Sequence, residues 1–296
     1  MLKSAVHKLF TMAAKLTGKY SKSGKKFSNR LKNRYRIFWK AKDVQSIKVK
    51  ILNASDPMEK WKEEKNWQRK LSNKHNSKEF AKKHNCKVAE LYWKGKNYDT
   101  IDFDNLPDQY VIKPIKGHSS RLVFLMDNGV NLMDGKIYSK EDIKEVVAKA
   151  LNENKTSEFL FEEFLRTEDG IYKMLDDYKC YMFNGEIACI EVINRLGPSK
   201  GFTTCYNENW QVIENINTYY PKGDYQQPPK CLQELLEKAK ELSKSYEIFV
   251  RLDFYATYKG AVFGEFTPTP ACGDGFTPKA EKLFINYWDR FCKGKV

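Results

Sequence analysis

Apolar and polar residues alternate over Phe249-Val250-Arg251-Leu252-Asp253-Phe254-Tyr255, and again over Gly264-Glu265-Phe266-Thr267-Pro268. Alternation rich in β-branched and aromatic residues predicts two strands. Thr257-Tyr258-Lys259-Gly260 between them predicts a hairpin turn. Every second side chain of a strand shares a face, so Arg251 lies beside Asp253 and Glu265 beside Thr267. A turn centred near Lys259 places Asp253 opposite Glu265. The same period predicts strands at 87–93, 110–113, 122–126 and 159–165. It also predicts a pair at 177–183 and 186–193 around Asn184-Gly185, a strong hairpin dipeptide. Helical patterns cover 57–71, 77–85, 139–152 and 230–245. The third opens with Ser139 and Asp142 at capping-box spacing. The fourth buries Leu232, Leu235, Leu236, Ala239 and Leu242. Strand pairs mixed with helices predict an α+β fold with antiparallel sheets, without an internal repeat.

The first 50 residues differ in kind. Leu2, Val6, Leu9, Phe10, Ala13 and Leu16 recur near helical spacing with Lys3, Lys8 and Lys15 between them, which predicts a basic amphipathic helix. Lysines interrupt the apolar stretch, unlike a secretory signal. Tyr35, Phe38 and Trp39 offer aromatic groups for insertion at a lipid interface. A solvated tail and a helix packed on the body are the other readings. Residues 1–50 hold fifteen Lys or Arg and one acid, Asp43, which accounts for the whole net charge of +14. The remainder is neutral, with 37 bases and 37 acids. A lone terminal basic block without a recognised module argues against nucleic acid as the partner. An anionic membrane surface is the partner this pattern implies. Seven scattered cysteines without a C-x-x-C pair point to a reducing, cytoplasmic compartment and away from structural zinc. The four histidines show no ligand-like spacing.

Two carboxylates facing each other across a strand pair repel. A divalent cation between them removes that penalty, and oxygen ligands suit Mg²⁺. Arg251, one step along the face, then reaches an anion bridged by the cation. A plain surface hairpin carrying the same charges is the alternative. Residues 115–121, Ile-Lys-Gly-His-Ser-Ser-Arg, form a small polar loop between strands, of the kind whose N–H groups cradle phosphate. It lacks the Walker pattern.

The order of five segments resembles the ATP-grasp superfamily, most closely its TupA-like branch, named for teichuronopeptide biosynthesis. These are Leu106-Pro107-x-x-Tyr110-Val111-Ile112-Lys113-Pro114, Glu162-Glu163-Phe164-Leu165, Asp177-Tyr178-Lys179-x-Tyr181-x-Phe183-Asn184-Gly185, Arg251-x-Asp253-Phe254-Tyr255 and Gly264-Glu265-x-Thr267. The likeness runs over about residues 74–277. It implies two α+β subdomains, at 106–165 and 166–296, with ATP between them, preceded by a small α/β region at 51–105. It implies that Lys113 contacts the ATP phosphates and that Gly117, His118, Ser119 and Ser120 cover them. Glu162, Glu163, Phe164 and Leu165 would supply the backbone that meets adenine. Asp253, Glu265 and Thr267 would be the magnesium ligands, Thr267 standing where the family usually has Asn. Arg251 would serve the transferred phosphoryl group, with Lys179 and then Arg195 as further phosphate or substrate contacts. The implied activity is ATP-dependent joining of a carboxylate to an amine through an acylphosphate, in cell-surface polymer assembly. A kinase that stops at phosphoryl transfer and a non-catalytic membrane-associated adaptor are the alternatives. The intact Lys113, Arg251, Asp253 and Glu265 set argues against the adaptor.

Overall fold

The structure, a computed structural model, describes residues 26–115, 122–153, 158–197 and 200–295. In chain order its helices are α1 (Phe27–Trp39), α2 (Val44–Val49), α3 (Met58–Lys62), α4 (Lys74–Lys83), α5 (Lys140–Glu153), α6 (Leu232–Tyr246) and α7 (Pro278–Phe291). The strands are β1 (Lys87–Val88), β2 (Leu91–Gly95), β3 (Gln109–Pro114), β4 (Phe124–Asp127), β5 (Val130–Asn131), β6 (Lys136–Ile137), β7 (Phe159–Glu163), β8 (Asp177–Phe183), β9 (Glu186–Gly197), β10 (Lys200–Tyr206), β11 (Val212–Ile213), β12 (Phe249–Thr257) and β13 (Gly260–Thr267). They form a seven-stranded sheet in the order β1-β13-β12-β8-β9-β10-β11 and a six-stranded sheet in the order β2-β7-β3-β4-β5-β6. The α+β expectation holds.

Local chemistry explains the boundaries. Asp142 accepts from the backbone N and the hydroxyl of Ser139, both at 2.8 Å, and its own N donates to that hydroxyl at 3.1 Å. This is the capping box that starts α5. Asn184 and Gly185 take φ of 54° and 100°, the left-handed pair that a two-residue hairpin between β8 and β9 requires. The stretch 57–71 splits into α3 and a 3-10 turn at Trp67–Ser72, because Asn66 at φ 56° interrupts it.

Parity along the strands sorts the core. Cys180, Met182, Ile190, Val192, Val250, Leu252 and Phe254 face one way and pack under α6 and Phe80 of α4. The opposite face is divided along its length. Its apolar end, with Tyr181, Phe183, Cys189 and Phe249, is covered by Phe27 and Leu31 of α1 and by Phe284 and Trp288 of α7. Its other end, with Asp177, Lys179, Arg251 and Asp253, is polar. The six-stranded sheet packs Tyr110, Ile112 and Phe161 against Ile143 and Val147 of α5.

Three expectations change. Residues 87–93 form two strands rather than one, β1 joining the larger sheet in parallel and β2 the smaller sheet. The region 51–105 thus contributes to both sheets. Phe38 is fully buried in the core and Trp39 donates its indole N–H to Thr269 at 3.2 Å, so neither is free to enter a lipid interface. For residues 27–39, the helix packed on the body is the reading that holds. The first 25 residues lie outside the described ones.

Candidate active site

The β12–β13 hairpin brings the expected residues together. Asp253 pairs with Glu265 and Arg251 with Thr267. Thr257 pairs with Gly260, so the turn centres between Tyr258 and Lys259, half a residue earlier than the symmetric expectation. A bulge at Gly264 then restores the register. A Cβ there would lie 2.9 Å from the carbonyl oxygen of Asp253, so only glycine fits this close approach.

The cation between the two carboxylates is one the chain supplies. Arg251 donates from Nε and Nη2 to the two oxygens of Asp253, both at 2.7 Å, and from Nη2 to the Thr267 hydroxyl at 3.1 Å. The same Nη2 stands 3.6 Å from Glu265. This guanidinium offsets the repulsion between the two carboxylates. Lys179 on β8, directly across from Asp253, adds a bond of 2.6 Å to Oδ2. Burial would raise the Asp253 pKa, but Arg251 and then Lys179 hold it below the ordinary carboxylate value. Burial would lower Arg251, yet Asp253 keeps its pKa raised, so this pair stays ionised.

The charges continue across the sheet with alternating sign. Lys179 lies 3.7 Å from Asp177, and Asp177 accepts from Arg195 Nε on β9 at 2.7 Å. Arg195 reaches the hydroxyl of Tyr220 at 2.8 Å. Beneath this row, buried Glu191 accepts from Tyr181, Thr203 and Asn217 at 3.2, 3.2 and 2.5 Å. This network was not visible in the sequence, since its members come from four separate segments.

The smaller sheet supplies a second cluster. Lys113 of β3 and Lys78 of α4 both pair with Glu162 of β7, which is 2% exposed. Burial alone would raise Glu162, but Lys113 and then Lys78 hold its pKa low. Burial pulls Lys78 down to about 8 despite that partner. Lys74, one turn earlier on α4, is lowered by burial and feels both Glu265 of the larger sheet and Lys113 with Glu162 of the smaller one. It therefore marks where the two clusters meet. Sequence reading missed Lys74 and Lys78; their i, i+4 spacing on one helix face was the available signal.

Glu163 binds the sheets together. Its Oε1 pairs with Lys259 at 2.6 Å and accepts from the Tyr258 hydroxyl at 2.8 Å, and its Oε2 accepts from the backbone N of Glu90 at 3.1 Å. The backbones of Glu162 and Glu163 are engaged in pairing with β3, while Phe164 and Leu165 follow the end of that ladder. Gly117, His118, Ser119 and Ser120 lie outside the described residues.

The oxygen donors Asp253, Glu265 and Thr267 suit a hard divalent cation. Among the described residues no group of three or more His, Cys, Asp or Glu converges, so two carboxylates and a hydroxyl would leave positions for water and phosphate oxygens. The residues present fit Mg²⁺ on those terms.

Similar solved structures include the D-alanine–D-alanine ligase from Bacillus anthracis complexed with ATP, at 15% identity and TM-score 0.47, covering 76% of this chain and 66% of that one. The L-amino acid ligase from Bacillus licheniformis matches at 11% identity and TM-score 0.46, covering 67% and 43%. The ATP-grasp ligase PsnB complexed with minimal precursor, Mg and ADP matches at 12% identity and TM-score 0.41, covering 74% and 60%. The chain thus spans less than two thirds of the length of each. No curated protein matches the chain. The family model of TupA-like ATP-grasp matches residues 47–285. The chain belongs to the TupA-like ATP-grasp family.

Proposed function

We propose that the protein is an ATP- and Mg²⁺-dependent, ADP-forming ligase that joins a carboxylate to an amine, acting on a cell-surface polysaccharide or its precursor. The observation that carries this reading is the meeting of two polar clusters around Lys74. One holds Lys113, Lys78 and Glu162; the other holds Arg251, Asp253, Glu265, Thr267 and Lys179. Three lysines around one buried carboxylate leave a net positive wall, which suits the phosphate chain of ATP. Phe164 and Leu165, past the ladder of β7, are the backbone proposed to meet adenine. The loop at 117–120 is proposed to cover the phosphates.

In the first step a substrate carboxylate oxygen attacks the γ-phosphorus, and the bond to the ADP oxygen breaks. In the second, an amine attacks the acyl carbon, phosphate leaves and the amine gives up a proton. Bound Mg²⁺ would supply charge neutralisation for the triphosphate, held by Asp253, Glu265 and Thr267. Arg251 and Lys113 are proposed to offset the negative charge that spreads over the transferred group, which is most of what such chemistry requires. The row Lys179, Asp177, Arg195 leads away from this point and is proposed to border the acid and amine substrates.

Glu265→Gln is the test of the ATP site. Glu265 makes a long contact to Arg251, accepts from the Thr267 hydroxyl at 3.3 Å, and has a side chain 44% exposed, so its loss leaves the fold intact. Turnover is expected to fall by roughly 10²–10³-fold. Unchanged ADP release would sink the assignment. Mass spectrometry of products made with ATP, Mg²⁺ and candidate acids and amines tests the reaction type. ADP, phosphate and an amide, formed only with both substrates present, are expected. A stable phosphorylated product formed without amine would instead establish the kinase.

A further inference from the structure

The buried stripe of α1 consists of Phe27, Leu31, Arg34 and Phe38. One member is charged. Arg34 is fully buried, and no carboxylate pairs with it among the described residues. Its guanidinium lies over the Trp288 ring at 4.4 Å, and Nε and Nη2 have no hydrogen-bond partner. The remaining nitrogen, Nη1, donates to two backbone carbonyls, of Phe249 at 2.6 Å and of Pro268 at 3.4 Å.

Those two carbonyls sit at the open end of the β12–β13 hairpin. Phe249 begins β12 two residues before Arg251, and Pro268 follows Thr267 at the end of β13. Arg251 and Thr267 form the outermost pair of the register. A single nitrogen therefore ties the two strands where the hairpin would otherwise fray. Packing alone gives no reason for this residue, since a buried charge without an acid is costly and an aliphatic side chain of similar length would fill the space. The tie accounts for it.

We propose that Arg34 is a positioning residue for the catalytic hairpin: from a helix that precedes the matched family region, it holds the strand ends on which Arg251, Asp253, Glu265 and Thr267 are carried. The catalytic part of this inference rests on the ligase reading above. The helix is then a working part of the ATP site, although it touches no substrate.

The test uses the full-length chain with Arg34→Met, Arg34→Lys and Leu31→Ala. Leu31 is buried on the same helix without a hydrogen bond to the hairpin, so Leu31→Ala reports what loss of packing does by itself. Hydrogen exchange without nucleotide reads the hairpin end, at residues 249–253 and 265–267, against the neighbouring strands at 178–192. Arg34→Met is expected to speed exchange at the hairpin end by about tenfold with little change in the neighbours. The Mg²⁺ concentration for half-maximal ADP release should rise by about fivefold or more, as positions shift by a fraction of an ångström. Arg34→Lys, which keeps one donor, should lie between it and wild type, while Leu31→Ala leaves the ratio of exchange rates and the Mg²⁺ dependence as they were. Should Arg34→Met fail to fold, Arg34→Lys against Leu31→Ala makes the same comparison. The same pattern in Leu31→Ala and the Arg34 variants, or an Arg34 variant without local effect, would overturn the proposal. A wild-type chain without Mg²⁺-dependent turnover would remove the ligase reading, and the exchange result would still decide the structural tie.

Discussion

At the scale of single residues, the site is governed by which cation sits on which carboxylate. Asp253 accepts from half-buried Arg251 and buried Lys179, so Asp253→Asn would take the anionic partner from both cations. Breaking a buried pair this way costs about 3–5 kcal/mol. Asp253→Asn therefore tests stability as much as catalysis, and Glu265→Gln is the cleaner variant. Lys78 gives a pH signature. Its pKa in the folded chain is lowered to about 8, while the unfolded value stays near the ordinary one. Between those values the unfolded state binds more protons, so stability from this group rises with pH. Below about 8 both states are protonated and the contribution no longer changes. Wild type should thus gain on Lys78→Met by up to about 3 kcal/mol between pH 8 and 10. Melting temperatures of the two across that range check it; a constant difference would count against the burial of Lys78.

At the scale of elements, the β12–β13 hairpin does the most. Its two strands, its shared face and the Asp253–Glu265 pairing are all readable from alternation and turn chemistry. The bulge at Gly264 is not, because it shows only when the register is followed past the turn. Gly264→Ala would drive a methyl group to 2.9 Å from the Asp253 carbonyl. A loss of about 1–3 kcal/mol is expected, as for other overpacked positions. Glu265, the next residue, would be displaced with it, so turnover should fall more than stability alone implies. Denaturation and ADP-release assays on the same preparation separate the two effects. Equal turnover per folded molecule would show that the bulge is only structural. Helix α4 carries the opposite lesson. Its lysines look like a solvated face in the sequence, and only folding turns Lys74 and Lys78 toward buried Glu162.

At the scale of the molecule, the basic N-terminus divides into two parts with different fates. Residues 27–39 are core, so a chain beginning at Ile51 would lose Phe27, Leu31, Arg34 and Phe38 from the interior and with them much of its stability. The segment before Lys26 is the part proposed to hold the enzyme on an anionic membrane surface, on its cytoplasmic side. Among the described residues no helix is long and apolar enough to cross a membrane. Basic residues near an anionic bilayer contribute about 1 kcal/mol each, and the attraction weakens as salt screens it. Full-length protein should co-sediment with anionic liposomes at low salt, and a chain starting at Lys26 should not. Equal sedimentation of the two would leave the segment without this role.

What the sequence by itself determined is whatever repeats over short range. Period-two alternation defined the strands, Asn184-Gly185 and Ser139 with Asp142 defined a turn and a helix start, and the order of motifs pointed to the ATP-grasp fold. Backbone sterics and side-chain parity act over a few residues, so the chain carries them openly. The tertiary structure alone decided which charges meet. It set Arg251 between Asp253 and Glu265, brought Lys78 and Lys113 onto Glu162, and laid α1 over the apolar end of the catalytic face with Arg34 reaching both hairpin strands. Outside the β12–β13 hairpin, these contacts join residues dozens to hundreds of positions apart. Their energies depend on burial, and burial exists only once the sheets and helices have packed.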